Sequence, residues 1–266
     1  MADDLGNFVD GYTLALGNET DGRTLALGNE VGGRALALGN SAGDLVDSPI
    51  TTYYKEVIDE ELDAADECVA FHPLSETAGT QALDVSGKDN HGTYVDSPTL
   101  GEDPLSEGFL HSIGGTGQAR IEVASGVVDI SADFTIAFTI SGGNSNEGVF
   151  YFGTGVSNRI DCFLIGDNLR VFAGDGTLQH NVNASDGFAA SYCVRWESTA
   201  KRTTIWKDGV QDAQGTRPGL VITSSTEGEL RHSLAFPNST IGFQDHGIFD
   251  AALTGAQCAR LSEGTV

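Results

Sequence analysis

The chain has 266 residues, 39% of them hydrophobic, enough for one large domain with a smaller appendage and with no need of a structural metal as a prop. Its 38 acidic and 14 basic residues leave a formal charge of -24, which argues against the phosphate backbone of a nucleic acid as a partner. No run approaches the ~20 apolar residues of a membrane span, so membrane insertion is not expected, and FTIAFTI at 134–140 reads as a buried strand.

The acidic residues are spread along the whole length rather than gathered in a tail. Such a charge repels itself in dilute buffer, whereas at molar salt the screening length falls to roughly 3 Å, so the expectation is a protein of a hypersaline setting. Residues 2–12, ADDLGNFVDGY, supply neither a basic n-region nor an apolar h-region, and no secretion signal is expected.

In chain order, residues 5–40 carry a repeat with an eleven-residue period: GYTLALGN at 11–18, GRTLALGN at 22–29 and GRALALGN at 33–40. Each unit predicts a short strand in which Leu14 and Leu16, Leu25 and Leu27, or Leu36 and Leu38 share one face. One such strand cannot bury its leucines alone, so the units must stack on each other or on copies from other subunits. Residues 1–48 are therefore expected to form a homo-oligomer or to dock on a larger particle. The repeats resemble those in the β-rolls of trimeric adhesins and some viral fibres. Residues 49–66 follow as a helical linker, with Tyr54, Val57, Ile58, Leu62 and Ala65 at helical spacing and Asp59, Glu60, Glu61 and Asp63 on the solvated face. A glucanase E-x-D-x-E strand is not found here, because Ile58 stands two residues after Glu56.

From Glu67 the period changes to two. Cys68, Ala70 and His72 alternate with Val69 and Phe71 until Pro73 stops the strand, and Asp84, Ser86, Gly87, Asp89, Asn90 and Gly92 then supply turn chemistry before Thr93 and Tyr94 resume extended structure. VAFHPLSETAGT followed by DVSGKDNHGTY resembles the opening of a laminin-G-like domain of the concanavalin A-like lectin/glucanase superfamily. STIGFQDHGIFDAALTGAQCARLSEG at 239–264 resembles its closing strand and short helix, with Ile248, Phe249, Ala252, Leu253 and Thr254 at matching places, although Gln244, Asp245 and His246 depart from the family pattern. RWESTAKRTTIWKDG at 195–209 is similar to a family hairpin. The resemblance implies that the first and last strands lie side by side. Further strands are predicted near 108–113, 118–123, 133–140, 147–152, 159–165, 168–173, 190–197 and 202–207, separated by turn sequences. The fold expected over 67–266 is all-β, a two-sheet antiparallel sandwich of jelly-roll, concanavalin A-like type.

The six histidines show no HExxH or paired-ligand spacing, and neither a GxSxG elbow nor a P-loop occurs. The chain is therefore read as a non-enzyme. Asp84, Asp89 and Asn90, with His91, form the candidate metal-binding loop: their oxygens suit Ca²⁺, which the resemblance implies in some members, while Asx-turn bonding within the loop explains the same residues without a metal. Trp196 and Trp206 serve either as a sugar-stacking platform or as core. Cys68, Cys162, Cys193 and Cys258 contain no CxxC pair; Cys68 and Cys258 flank elements that the fold brings together, so a bridge between them stands against four small buried thiols.

These readings combine into a virion-surface protein, a fibre, spike or turret of a virus with a halophilic host. Its N-terminal repeats join copies to one another and to other virion proteins, and its lectin-like domain attaches to a host-surface glycan or glycoprotein. Two alternatives stay open: a polysaccharide-active glycosidase of the same superfamily, and a cellular surface adhesion module, for which glycans on the sequons at Asn183 or Asn238 would speak.

Overall fold

The computed structural model describes residues 7–9, 12–14 and 53–263, with breaks at 104, 106–111, 117, 143–145, 167, 176–178, 185–188, 226, 234 and 236–238. The chain divides into two units, Met1–Ser48 and Pro49–Val266. In the first, β1 (Asn7–Val9) and β2 (Tyr12–Leu14) pair antiparallel, Asn7 with Leu14 and Val9 with Tyr12. Asp10 and Gly11 stand between them in the sequence, a dipeptide suited to a two-residue hairpin turn. β1 thus precedes the first full repeat, whose residues 12–14 form β2. The two other LALGN copies, and the leucines expected to stack in them, lie outside the described residues.

The second unit is a two-sheet antiparallel sandwich, as the alternation predicted. One sheet runs in the order β13 (Gln179–Ala184), β12 (Asn168–Gly174), β11 (Arg159–Ile165), β10 (Glu147–Gly153), β17 (Gly228–Leu230), β8 (Arg120–Val123), β5 (Gly92–Val95) and β4 (Gln81–Ala82). The other runs β16 (Val210–Thr216), β15 (Arg202–Lys207), β14 (Ala190–Glu197), β9 (Phe134–Ser141), β18 (Gly242–Phe249), β7 (Ser112–Gly114) and β6 (Thr99–Glu102). β3 (Cys68–Ala70) joins the free part of β18, Ile248 opposite Ala70, so the first and last strands of the sandwich are neighbours.

Strand alternation builds the core between the sheets. Phe134, Ile136, Phe138 and Ile140 of β9 and Tyr192, Val194 and Trp196 of β14 meet Phe150 and Phe152 of β10, Ile160, Cys162 and Leu164 of β11 and Val171 of β12. Phe138 stacks on Phe243 at 5.8 Å and meets Phe150 edge-on at 6.0 Å, so truncating it to alanine would cost about 3 to 5 kcal/mol.

The two outer faces differ. Behind the second sheet, a π-helix (Tyr54–Glu61) and α1 (Gly255–Ser262) form a third layer in which Val57, Ile58 and Leu62 pack with Phe71, Ala137, Cys193, Trp206, Phe249, Cys258 and Leu261. Thr254 caps α1 in a reciprocal box with Gln257, whose side-chain amide also donates to Leu62 O at 2.7 Å and joins the two helices. The stretch expected to be a helical linker is therefore a packed layer of the sandwich. Among the described residues no helix is long and apolar enough to cross a membrane.

The buried pair of His72 and Asp245 holds the opening loop to the closing strand. Asp245 Oδ2 accepts from the His72 N–H at 3.1 Å and lies 2.9 Å from His72 Nδ1, and Asp245 Oδ1 accepts from Gly247 N–H at 2.9 Å. His72 Nε2 sits 3.0 Å from the Asn90 carbonyl, which can only accept, so this nitrogen carries a proton. Burial works to lower the His72 pKa, but the Asp245 carboxylate and the Asn90 carbonyl outweigh it and raise it.

Candidate functional site

Among the described residues no α- or π-helix packs on the outer face of the first sheet, where register sets a row of outward residues side by side. Register places Thr93 of β5 opposite Glu122 of β8, Glu122 opposite Glu229 of β17, Glu229 opposite Tyr151 of β10, Tyr151 opposite Asp161 of β11, Asp161 opposite Phe172 of β12, and Phe172 opposite Asn181 of β13. Their chain neighbours Ile121, Leu230, Phe150, Phe152, Ile160 and Val171 are in the core, which fixes this row on the other face.

A cleft of about 280 Å³ opens along the row, lined by Glu122, Val123, Ser125, Tyr151, Glu227, Gly228 and Glu229. A second, of about 360 Å³, is lined by Thr77, Ala78, Gly79, Thr80, Tyr94, Asp96, Ser97, Pro98 and Leu100. Arg120 joins them: its guanidinium donates to Asp96 Oδ2 at 2.5 Å, Glu122 Oε1 at 3.0 Å and Glu229 Oε1 at 2.9 Å. One cation thus positions carboxylates lining both clefts.

Tyr151 walls the first cleft. It is 7% exposed, its hydroxyl oxygen accepts from Gly155 N–H at 2.6 Å, and the His232 ring meets it edge-on at 6.3 Å. His232 Nδ1 lies 2.5 Å from Glu229 Oε2. Partial burial pushes the Glu229 carboxyl up, but His232 and Arg120 prevail and hold it below the usual carboxylate range. Next in the row, Asp161 is fully buried; burial raises its pKa to about 6, against the opposing pull of Ser233 and Arg159. Arg159 Nε is 3.4 Å from Asp161, and its guanidinium carbon stands 4.5 Å from the centre of the Phe172 ring.

Arg231 sets the position of β17. Fully buried, it donates to four backbone carbonyls, those of Ile241 at 2.9 Å, Ala119 at 2.6 Å, Gly115 at 2.7 Å and Ser239 at 2.8 Å. Burial lowers its pKa to about 10, still a cation at neutral pH. This arginine, two residues after Glu229, fastens the end of β17 to the loops flanking β7, β8 and β18.

The residues proposed from sequence for Ca²⁺ have another arrangement. Asp84 is buried, and its carboxylate accepts from Phe71 N–H, Ser86 N–H, Ser86 Oγ and Asn90 N–H, each at 2.9 Å. The Asn90 side chain donates to Val69 O at 2.7 Å, and Asp89 is exposed with φ 59°. Asp84 thus faces four donors where a cation site needs converging acceptors, and among the described residues no group of three or more His, Cys, Asp or Glu is placed to hold a metal. The donor set does not fit Ca²⁺; the Asx-turn explanation accounts for the loop.

The tryptophans are no platform either. Trp196 is in the core, donating to Ile130 O at 3.2 Å, and Trp206 lies beneath Arg195 in the helical layer. All four cysteines are free and buried; the neighbour of Cys258 is the Cys193 thiol rather than Cys68, which donates to Ala70 O.

No protein-family model and no curated protein matches this sequence. Solved structures with the same architecture include the binding domain of botulinum neurotoxin serotype D, with a TM-score of 0.58 at 11% identity over 76% of this chain and 52% of that one. The serotype C1 binding domain gives 0.58 at 14% identity over 74% and 52%. A serotype D ligand-binding domain in complex with N-acetylneuraminic acid gives 0.58 at 11% identity over 76% and 52%. The likeness is one of fold: this chain has the same two-sheet β-sandwich architecture and spans about half the length of these neighbours.

Proposed function

We propose that the protein is a glycan-binding module whose ligand surface is the outer face of the first sheet. The observation that carries this reading is the cleft that Tyr151 lines beside Glu122, Glu227 and Glu229, on a face where no α- or π-helix packs among the described residues. An apolar ring wall with a few fixed acceptors is the chemistry by which a polyol is held against competing water. That neighbours of the same fold include a sialic-acid complex, and a neurotoxin whose cell entry depends on two ganglioside molecules, supports the reading by analogy. Its test is a glycan panel probed with the full chain and with Glu122→Gln, whose loss of binding at unchanged melting temperature is the expected result.

The finer reading is attachment by a virion-surface protein of a halophilic host's virus. The eleven-residue repeats and the charge of -24 support it. Several shallow sites held together raise avidity by ~10² to 10⁴ over one site. The expected particle is a homo-oligomer, and its melting temperature should fall below molar salt; a monomeric, salt-insensitive chain would remove this reading and leave the glycan site standing.

A second reading, glycosidase action, draws on one observation. Asp161 and Glu229 flank Tyr151 on successive strands, about 10 Å apart by strand spacing, with one carboxyl raised to about 6 and the other lowered. Asp161 has no exposure to a substrate, which favours binding over catalysis. Release of reducing sugar by the full chain would reverse that order.

A further inference from the structure

We infer that Cys193 of β14 and Cys258 of α1 are a disulfide-forming site, reduced in this structure, through which an oxidising environment locks α1 onto the second sheet. Both cysteines are free and fully buried, and the elements around them fix their approach. Cys193 points away from the core: its chain neighbours Tyr192 and Val194 lie between the sheets, and register sets it beside Ala137 of β9 and Trp206 of β15. α1 crosses this spot. A β-carbon on Gly255 would stand 3.7 Å from the Trp206 ring, and Arg195, two residues after Cys193, donates to Leu253 O at 2.8 Å. Cys258 follows Gly255 by one turn on the same side of the helix, which brings it down beside Trp206 and over Cys193. Its S–H faces Leu253 O at 3.8 Å, and its sulfur accepts from the Cys193 thiol.

Neither other cysteine shares this position. Cys162 lies in the core between the sheets, and Cys68 stands on β3, three strands from β14 and about 14 Å away by strand spacing, with its thiol turned to Ala70 O. With α1 docked the pair is inert, because burial and the neighbouring sulfur push the Cys193 thiol well up and only a thiolate attacks. Exchange therefore takes place while α1 is off the sheet, where eight helical residues are too few to persist alone. The oxidant is a low-molecular-weight disulfide such as oxidised glutathione. The Cys258 thiolate, its proton lost to water, attacks one sulfur and releases the first small thiol; as α1 docks, the Cys193 thiolate displaces the second from the mixed disulfide. The Sγ–Sγ bond forms, the protein loses two hydrogens, and the small disulfide becomes two thiols. The bond closes a loop that holds β15 to β18 and so restricts the unfolded chain. It also anchors a helix whose polar ties to the π-helix layer are Gln257 on Leu62 O and Arg260 on Glu61.

The test uses the full wild-type chain, incubated just below its melting temperature in glutathione buffers that run from fully reduced to fully oxidised, then alkylated and mapped by peptide mass spectrometry without reductant. The expected result is one cross-linked peptide pair carrying Cys193 and Cys258, with free thiols falling from four to two. The melting temperature should rise by about 5 to 15 °C on oxidation and return on reduction. Cys258→Ala should abolish both the link and the shift, and Cys68→Ala should keep both. Because the link is mapped on the wild type, that result stands whether or not the variants fold. The inference is overturned if all four thiols stay free at the oxidised end, if Cys193 and Cys258 carry glutathione instead of each other, if the link joins another pair, or if the link forms without raising the melting temperature.

Discussion

Replacing Asp245 by alanine would remove the acceptor of two His72 donors and one Gly247 donor at a place with no access to water. Breaking a buried ion pair from one side costs about 3 to 5 kcal/mol, because the partner keeps its desolvation penalty. With a urea dependence of about 2 kcal/mol per molar, the unfolding midpoint should fall by about 2 M. The pair also gives a pH signature. His72 has its pKa raised above the usual imidazole value of 6.5, so its contribution is fully present below that value and is lost as pH rises through the folded-state pKa. Midpoints measured from the acid side of 6.5 upward should decline in the wild type, whereas Asp245→Asn, which keeps the shape and loses the charge, should flatten that part of the profile. Parallel profiles for the two proteins would refute the ion pair and leave only a neutral hydrogen bond.

Arg231→Met should destabilise by about 2 to 4 kcal/mol by orphaning carbonyls at Ile241, Ala119, Gly115 and Ser239, and should weaken glycan binding through the displaced β17, both measurable by thermal melting and titration. Asp84→Ala should cost about 2 to 3 kcal/mol, while a chelator should leave the wild-type melting temperature unchanged, since donors fill the carboxylate; a Ca²⁺-dependent rise would contradict that account.

The sandwich was readable because its longest strands keep a period of two. Phe134, Ile136 and Phe138, and Tyr192, Val194 and Trp196, alternate in the chain and share the core in the fold. The sandwich strands not foreseen carry little of that signal: QHNVNA of β13 and VQDAQGT of β16 are largely polar edge strands, and β4, β6 and β17 are two to four residues long. The site was harder to see for a related reason. Glu122, Tyr151, Asp161 and Glu229 are each the outward residue of a different strand, and only register makes them neighbours. Alternation within RIEV and RIDCFLI showed which residues point outward, but not which strand lies beside which. His72 and Asp245, 173 positions apart, were likewise invisible as a pair. The Asp84 loop was legible in composition and ambiguous in chemistry, because the same oxygens serve a cation or a turn.

The central claim, that the outer face of the first sheet is where a glycan binds, is tested most directly by mapping backbone amide shifts of the full chain as a sugar is titrated in. The account predicts that perturbations centre on Glu122, Tyr151, Gly228 and Glu229 and fade towards the helical layer behind the second sheet. Perturbations centred instead on that helical layer or on the LALGN repeats, with the β8, β10 and β17 amides unmoved, would contradict it.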